Sequence, residues 1–140
     1  MKELICESSN DLSAIAEEVI NTCKDLPVWV FRGEMGAGKT TLIKAIAAHF
    51  GIHDTVSSPS FSIVNEYQGE QGEVFYHFDF YRIKEQEEAI EIGVDEYFYS
   101  GKYCWVEWAE KIPDYLPEDF YLIDLSIEEG EKRRLEINKI

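Results

Sequence analysis

Hydrophobic positions along the chain change period several times, and each change marks an element. Leu4-Ile5 is a short apolar stretch that reads as an edge strand. Leu12, Ile15, Ala16, Val19, Ile20 and Cys23 recur at the i, i+3, i+4, i+7 spacing of one helix face, behind the capping residues Ser8-Ser9-Asn10. Pro27 resets the chain for an unbroken apolar run, Val28-Trp29-Val30-Phe31. A strand that is hydrophobic at every position belongs in the centre of a parallel sheet, covered on both faces. Leu42, Ile43, Ile46, Ala47 and Phe50 return to helical spacing, and Gly51 stands where a helix ends.

Downstream the period shortens again. Ile63 to Tyr67 and Val74 to Phe80 read as two strands joined by the turn Gln68-Gly69-Glu70-Gln71-Gly72, an antiparallel hairpin. Glu85 to Glu96 carries six acids in twelve residues, with Ala89, Ile90 and Val94 as its apolar contacts. It is expected to form one acidic helix, either a solvated face or an electrostatic docking face. Tyr103-Cys104-Trp105-Val106-Glu107 is an apolar strand that ends in a carboxylate. Pro113 and Pro117 punctuate a loop, and Phe120 to Ile127 and Arg134 to Ile140 alternate as two further strands around the turn 128–131.

The junction between strand 28–32 and the helix from Leu42 carries the chemistry. Gly33-Glu34-Met35-Gly36-Ala37-Gly38-Lys39-Thr40 matches G-x-x-x-x-G-K-[ST], the phosphate-binding P-loop, in the strand-before, helix-after context that the motif requires. Glycines at 33, 36 and 38 are expected to allow backbone angles that turn successive N–H groups onto a phosphate. Lys39 adds a mobile charge towards the β- and γ-phosphates, and the Thr40 hydroxyl is able to ligate Mg²⁺. The helix that follows aims its positive dipole end at the same anion. The cofactor-binding set is therefore Glu34, Gly36, Ala37, Gly38, Lys39, Thr40 and Thr41. The expected fold is a single α/β domain over 1–140, a P-loop NTPase-like three-layer sandwich. Its sheet is mixed but mainly parallel, with an antiparallel hairpin and helices on both faces.

Charge narrows the partners. The chain has 28 acidic against 13 basic residues, a net charge of −15. Affinity for nucleic acid comes mainly from Lys and Arg on the phosphate backbone, so direct, stable binding of RNA or DNA by this chain alone is not expected. A basic protein surface is the partner that such a charge steers. Cys6, Cys23 and Cys104 have neither disulfide-framework nor zinc-site spacing and read as buried reduced thiols. Met1-Lys2-Glu3-Leu4 lacks the apolar core of a signal peptide, and no run is long enough to span a membrane. A cytoplasmic protein without membrane contact is the expectation.

Four stretches line up in order: Gly33–Thr41, Ser58-Pro59-Ser60-Phe61, His77-Phe78-Asp79-Phe80-Tyr81-Arg82 and Val106-Glu107-Trp108. Together they resemble the TsaE (YjeE) family, small bacterial P-loop ATPases of transfer-RNA threonylcarbamoyladenosine formation. The H-x-D-x-Y-R and V-E-W segments are far more specific than the P-loop alone. Ser60 stands where the family usually carries Thr, so the hydroxyl is kept. The resemblance implies ATP and Mg²⁺ as cofactors, slow hydrolysis, and the proteins TsaB and TsaD as partners. The resemblance further implies that TsaD performs the carbamoyl transfer and that the ATPase serves repeated turnover.

Phosphoryl transfer to water needs positioning and charge neutralisation. Lys39, Asp79 and Glu107 form the candidate catalytic set. Thr40 is the first candidate for a direct Mg²⁺ ligand and Glu107 the second, directly or through water, because Mg²⁺ takes oxygen ligands. Asp79, at a strand end, orients the attacking water or holds the Mg²⁺ shell. Loop 56–61 is either a surface turn or a switch segment sensing γ-phosphate and Mg²⁺. Open alternatives also stand for His77 (packed or catalytic), Trp108 (core, interface or adenine contact), Arg82 (acidic stretch or phosphate), and Arg133 with Arg134 (adenine flank or exposed strand-end charges).

Two other nucleotide functions fit less well. A small-molecule kinase brings arginines in a lid, yet between Arg82 and Lys102 the only base is Lys84. A GTPase needs N-K-x-D, and Asn138-Lys139-Ile140 ends before an Asp follows. A nucleotide-gated adaptor without meaningful hydrolysis, which the acidic segment 85–96 and the hydroxyl loop 57–61 suit, differs from an ATPase mainly in rate.

Overall fold

A computed structural model describes residues 1–59 and 63–140 of the chain. In chain order the elements are β1 (Lys2–Cys6), α1 (Leu12–Cys23), β2 (Val28–Arg32), α2 (Lys39–His49), β3 (Val64–Gln68), β4 (Val74–Asp79), α3 (Glu87–Glu91), α4 (Val94–Phe98), β5 (Tyr103–Glu107), β6 (Tyr121–Ile127) and β7 (Arg133–Lys139). The strands form one seven-stranded sheet in the spatial order β1-β7-β6-β2-β5-β4-β3.

The four central strands, β6, β2, β5 and β4, run parallel to one another. Antiparallel pairing is confined to the flanks, where β3 returns on β4, β7 on β6, and β1 on β7. The expected α/β architecture with a mainly parallel sheet is therefore observed, and β1 occupies an edge as its short apolar stretch implied. In β2, Val28, Trp29, Val30 and Phe31 are all buried, the burial of a strand covered on both faces.

Alternation divides those side chains between two cores. Trp29, Phe31, Phe75 and Trp105 pack with Ile15, Val19, Ile43 and Ile46 on the face covered by α1 and α2. Val28, Val30, Phe78 and Val106 pack with Ala89, Val94, Phe98 and Ile112 on the other face. Each large apolar side chain buried this way contributes roughly 1.5–3 kcal/mol, which fixes β2 and β5 as the base on which the loops stand.

Three local expectations are corrected. The acidic segment 85–96 is not one helix: Gly93, at φ 76°, turns the chain into the left-handed region and separates α3 from α4. The Ser8 hydroxyl caps a 3₁₀ turn at Ser9–Asp11, accepting from Asn10 N–H, whereas α1 begins behind Asp11 without a side-chain cap. The last strand starts at Arg133 and ends at Lys139, one residue earlier at each end than its alternation suggested. Gly51 does end α2. Its N–H donates to Ala48 O at 3.1 Å, and that of Ile52 donates to Ala47 O at 3.1 Å, the paired bonds of a Schellman turn.

Candidate nucleotide site

Loop 33–38 leaves the carboxyl end of β2 and enters α2. Gly36 (φ 84°) and Gly38 (φ 102°) hold the left-handed angles expected of them. Gly33 has a different role. A Cβ there would stand 2.7 Å from the Leu125 carbonyl oxygen, so glycine is required for close packing on β6 and not for its own backbone angle. Glu34 is exposed, and its carbonyl accepts from Ala37 N–H at 3.0 Å, closing the turn.

The side chains that follow point into a cavity of about 490 Å³ at the carboxyl ends of β2, β4 and β5. Lys39 is buried, its Nζ donating to Gly33 O at 2.7 Å and lying 3.8 Å from the centre of the Trp108 ring. Burial pulls its ammonium below the usual lysine range, against the carboxylates of Glu107, Glu110 and Asp79, which hold it up.

Thr40 Oγ1 donates to Glu107 Oε1 at 3.0 Å and Oε2 at 3.2 Å, and lies 2.7 Å from Ser58 Oγ. Ser58 Oγ reaches Glu107 Oε2 at 3.4 Å. Two hydroxyls and a buried carboxylate therefore converge. All are hard oxygen donors, so the set fits Mg²⁺ and does not suit a soft metal.

Asp79 and Glu107 are register partners on the parallel strands β4 and β5. Their side chains share the α1/α2 face with that of His77, because Glu107 stands two residues from Trp105, His77 two from Phe75 and Asp79 four from Phe75, all even steps along a strand. Burial raises the Asp79 carboxyl above the usual carboxylate range and Glu107 adds to the rise, while Tyr81 N–H, His77 and Lys39 oppose it.

Trp108 follows Glu107 at φ 60°, the only non-glycine residue with positive φ among the described residues. Such a backbone costs on the order of 1–3 kcal/mol and persists where the surroundings over-determine it. Here the ring is held between Lys39 and Tyr81, whose ring centre is 4.9 Å away.

Set beside known proteins, residues 6–135 match the family model described as "Threonylcarbamoyl adenosine biosynthesis protein TsaE". The chain belongs to the TsaE family. The TsaE protein of Bacillus subtilis is 38% identical over 122 residues, spanning 85% of this chain and 75% of that protein. The TsaE protein of Aquifex aeolicus is 34% identical over 139 residues, spanning 98% of this chain and 96% of that protein. In structure the chain is similar to Bacillus subtilis YdiB, with a TM-score of 0.77, 30% sequence identity, and coverage of 99% of this chain and 84% of that one. The TsaE family is a P-loop family whose role lies in tRNA threonylcarbamoyladenosine biosynthesis.

Most of the TsaE-type candidate residues meet at the one cavity. Gly36, Gly38, Lys39, Thr40, Thr41, Asp79 and Glu107 line it, as do Arg82 and Trp108. Ala37 and Glu34 do not; Ala37 instead lines a second cavity of about 210 Å³ on the other side of the P-loop, together with Arg133 and Leu12. Arg133 Nε donates to Ala37 O at 3.1 Å, whereas Arg134 pairs with Glu3 at 2.5 Å and Glu136 at 3.2 Å and does not line either cavity. Ser60 and Phe61 lie outside the described residues. Ser58 is the hydroxyl that reaches the site, and Tyr67 is the residue that sequence reasoning passed over. Its signal was the register of the hairpin, which pairs Asn65 with His77 and so sets Tyr67 diagonally across from that histidine.

Cys23 and Cys104 are buried, their thiols pushed up to about 12 by burial, and Cys6 is buried as well. All three are unpaired structural thiols. No helix among the described residues is long and apolar enough to cross a membrane.

Proposed function

We propose that the chain binds ATP with Mg²⁺, hydrolyses it slowly, and acts as a nucleotide switch with TsaB and TsaD in tRNA threonylcarbamoyladenosine formation. The observation that carries this reading is the junction of Thr40, Ser58 and Glu107 beside Lys39 in a P-loop. The 28 acids against 13 bases support leaving tRNA contact to the partners.

In this reading the N–H groups of loop 33–38 and the N-terminal end of α2 bind the phosphates. Lys39 leaves Gly33 O and reaches the β- and γ-phosphates. Thr40 and Glu107 would hold Mg²⁺, which when bound would supply positive charge against the phosphate oxygens. Asp79 orients the attacking water; its carboxyl, raised by burial, is better matched to accepting a proton than an exposed aspartate. Trp108 covers Lys39 and keeps water from the ammonium. The second cavity, walled by Ala37 and Arg133, accepts the base side of the nucleotide. Equilibrium binding of ATP·Mg²⁺ to the wild type and to Lys39→Ala tests the reading. Loss of binding by at least tenfold is expected, and equal affinity would overturn it.

A further inference from the structure

His77 and Tyr67 are buried polar side chains that the hydrolysis reading leaves without work. His77 is fully enclosed and Tyr67 nearly so, on the sheet face that otherwise holds Phe75 and Trp105. Polar groups placed there lose their water, and the arrangement is worth keeping only if every partner is satisfied and the geometry is specified by it. The partners are present. His77 Nε2 lies 2.7 Å from Glu107 Oε2, and its Nδ1 lies 3.2 Å from the Tyr67 hydroxyl. That hydroxyl in turn donates to Ser57 O at 3.1 Å and accepts from Ser57 N–H at 3.4 Å. Asn65 Nδ2 adds a bond to the same carbonyl at 3.3 Å.

Segment 57–58 is thereby tied to Glu107 twice. One tie is direct, from the Ser58 hydroxyl, and competes with Thr40 for the same carboxylate. The other runs through the sheet, from the Ser57 backbone across Tyr67 and His77 to Oε2. The direct tie depends on the Ser58 hydroxyl. The indirect one is anchored on the rigid strands β3 and β4 and does not depend on Ser58.

We propose that Tyr67 and His77 form a positioning bridge that keeps the 57–58 backbone in register with Glu107 while the nucleotide turns over. The proposal rests on the nucleotide reading above. Neither residue touches phosphate; each acts through another, Tyr67 on Ser57 and His77 on Glu107.

Tyr67→Phe in the full chain removes the one hydroxyl and leaves the ring packed. Two measurements apply. Hydrogen exchange of the Ser57 and Ser58 amides, without nucleotide, is expected to quicken at least fivefold. Hydrolysis with saturating ATP·Mg²⁺ is expected to lose at least fivefold in kcat while the ATP Kd stays within twofold. A purely structural role would not divide kcat from Kd in this way. His77→Gln, which breaks the bridge from its other end, is expected to reproduce the kcat loss and serves if Tyr67→Phe does not fold. Unchanged exchange, unchanged kcat, or a loss confined to Kd would overturn the bridge. If the wild type binds no ATP, the nucleotide reading fails, and the exchange measurement alone still decides whether the bridge holds the loop.

Discussion

Thr40 and Glu107 stand 67 residues apart in the chain, yet the hydroxyl of one donates to both carboxylate oxygens of the other, at 3.0 and 3.2 Å. The contact exists because β2 and β5 are adjacent parallel strands, with Phe31 and Glu107 in register. Ligands of α/β sheets bind at such carboxyl ends.

Glu107→Ala removes the carboxylate and keeps the P-loop backbone. ATP binding is expected to persist and hydrolysis to fall at least tenfold, about 1.4 kcal/mol of barrier. Single-turnover hydrolysis at several Mg²⁺ concentrations checks it; a rate equal to wild type removes Glu107 from the mechanism.

Asp79 carries an electrostatic cost in the folded chain. Because burial raises its carboxyl pKa in the folded chain, the ionised form is disfavoured there, and the penalty is full above that raised value. The penalty vanishes as pH falls below the ordinary carboxylate pKa. Asp79→Asn should therefore raise Tm at neutral pH and lower hydrolysis. The Tm difference from wild type should shrink as the solution is acidified; a variant less stable than wild type at neutral pH would contradict this.

Trp29 and Trp105 are fully buried, while Trp108 lines the open cavity beneath Lys39. Quenching of tryptophan emission by acrylamide should therefore report Trp108, and ATP·Mg²⁺ should reduce it. In Trp108→Phe the nucleotide-dependent change should disappear, with the ring still able to cover Lys39.

Gly33→Ala would push a methyl group to 2.7 Å from the Leu125 carbonyl oxygen. Overpacking of that kind costs about 1–3 kcal/mol, so thermal unfolding is expected to begin several degrees lower, at ~2–4 °C per kcal/mol. An unchanged Tm would mean that β6 gives way.

The P-loop was legible because its signal is local: eight consecutive residues, with a strand before and a helix after. Asp79 and Glu107 were legible as carboxylates at strand ends, once the P-loop had said which end of the sheet matters. What stayed hidden depends on register between distant strands. Ser57, Tyr67, His77 and Glu107 are joined only because β3 folds back on β4 and β4 lies beside β5. The break at Gly93 was masked by Ala89, Ile90 and Val94, whose spacing suits one continuous helix. Arg133 resembled an exposed strand-end charge, but β7 returns along β6 and delivers its guanidinium to the Ala37 carbonyl.

ATP hydrolysis with Mg²⁺, measured for the chain alone and with purified TsaB and TsaD, decides whether the chain is a nucleotide switch read by partner proteins. A switch of this kind hydrolyses slowly alone, faster with both partners, and in neither case as Lys39→Ala. Hydrolysis that the partners leave unchanged, or that survives in Lys39→Ala, would contradict it.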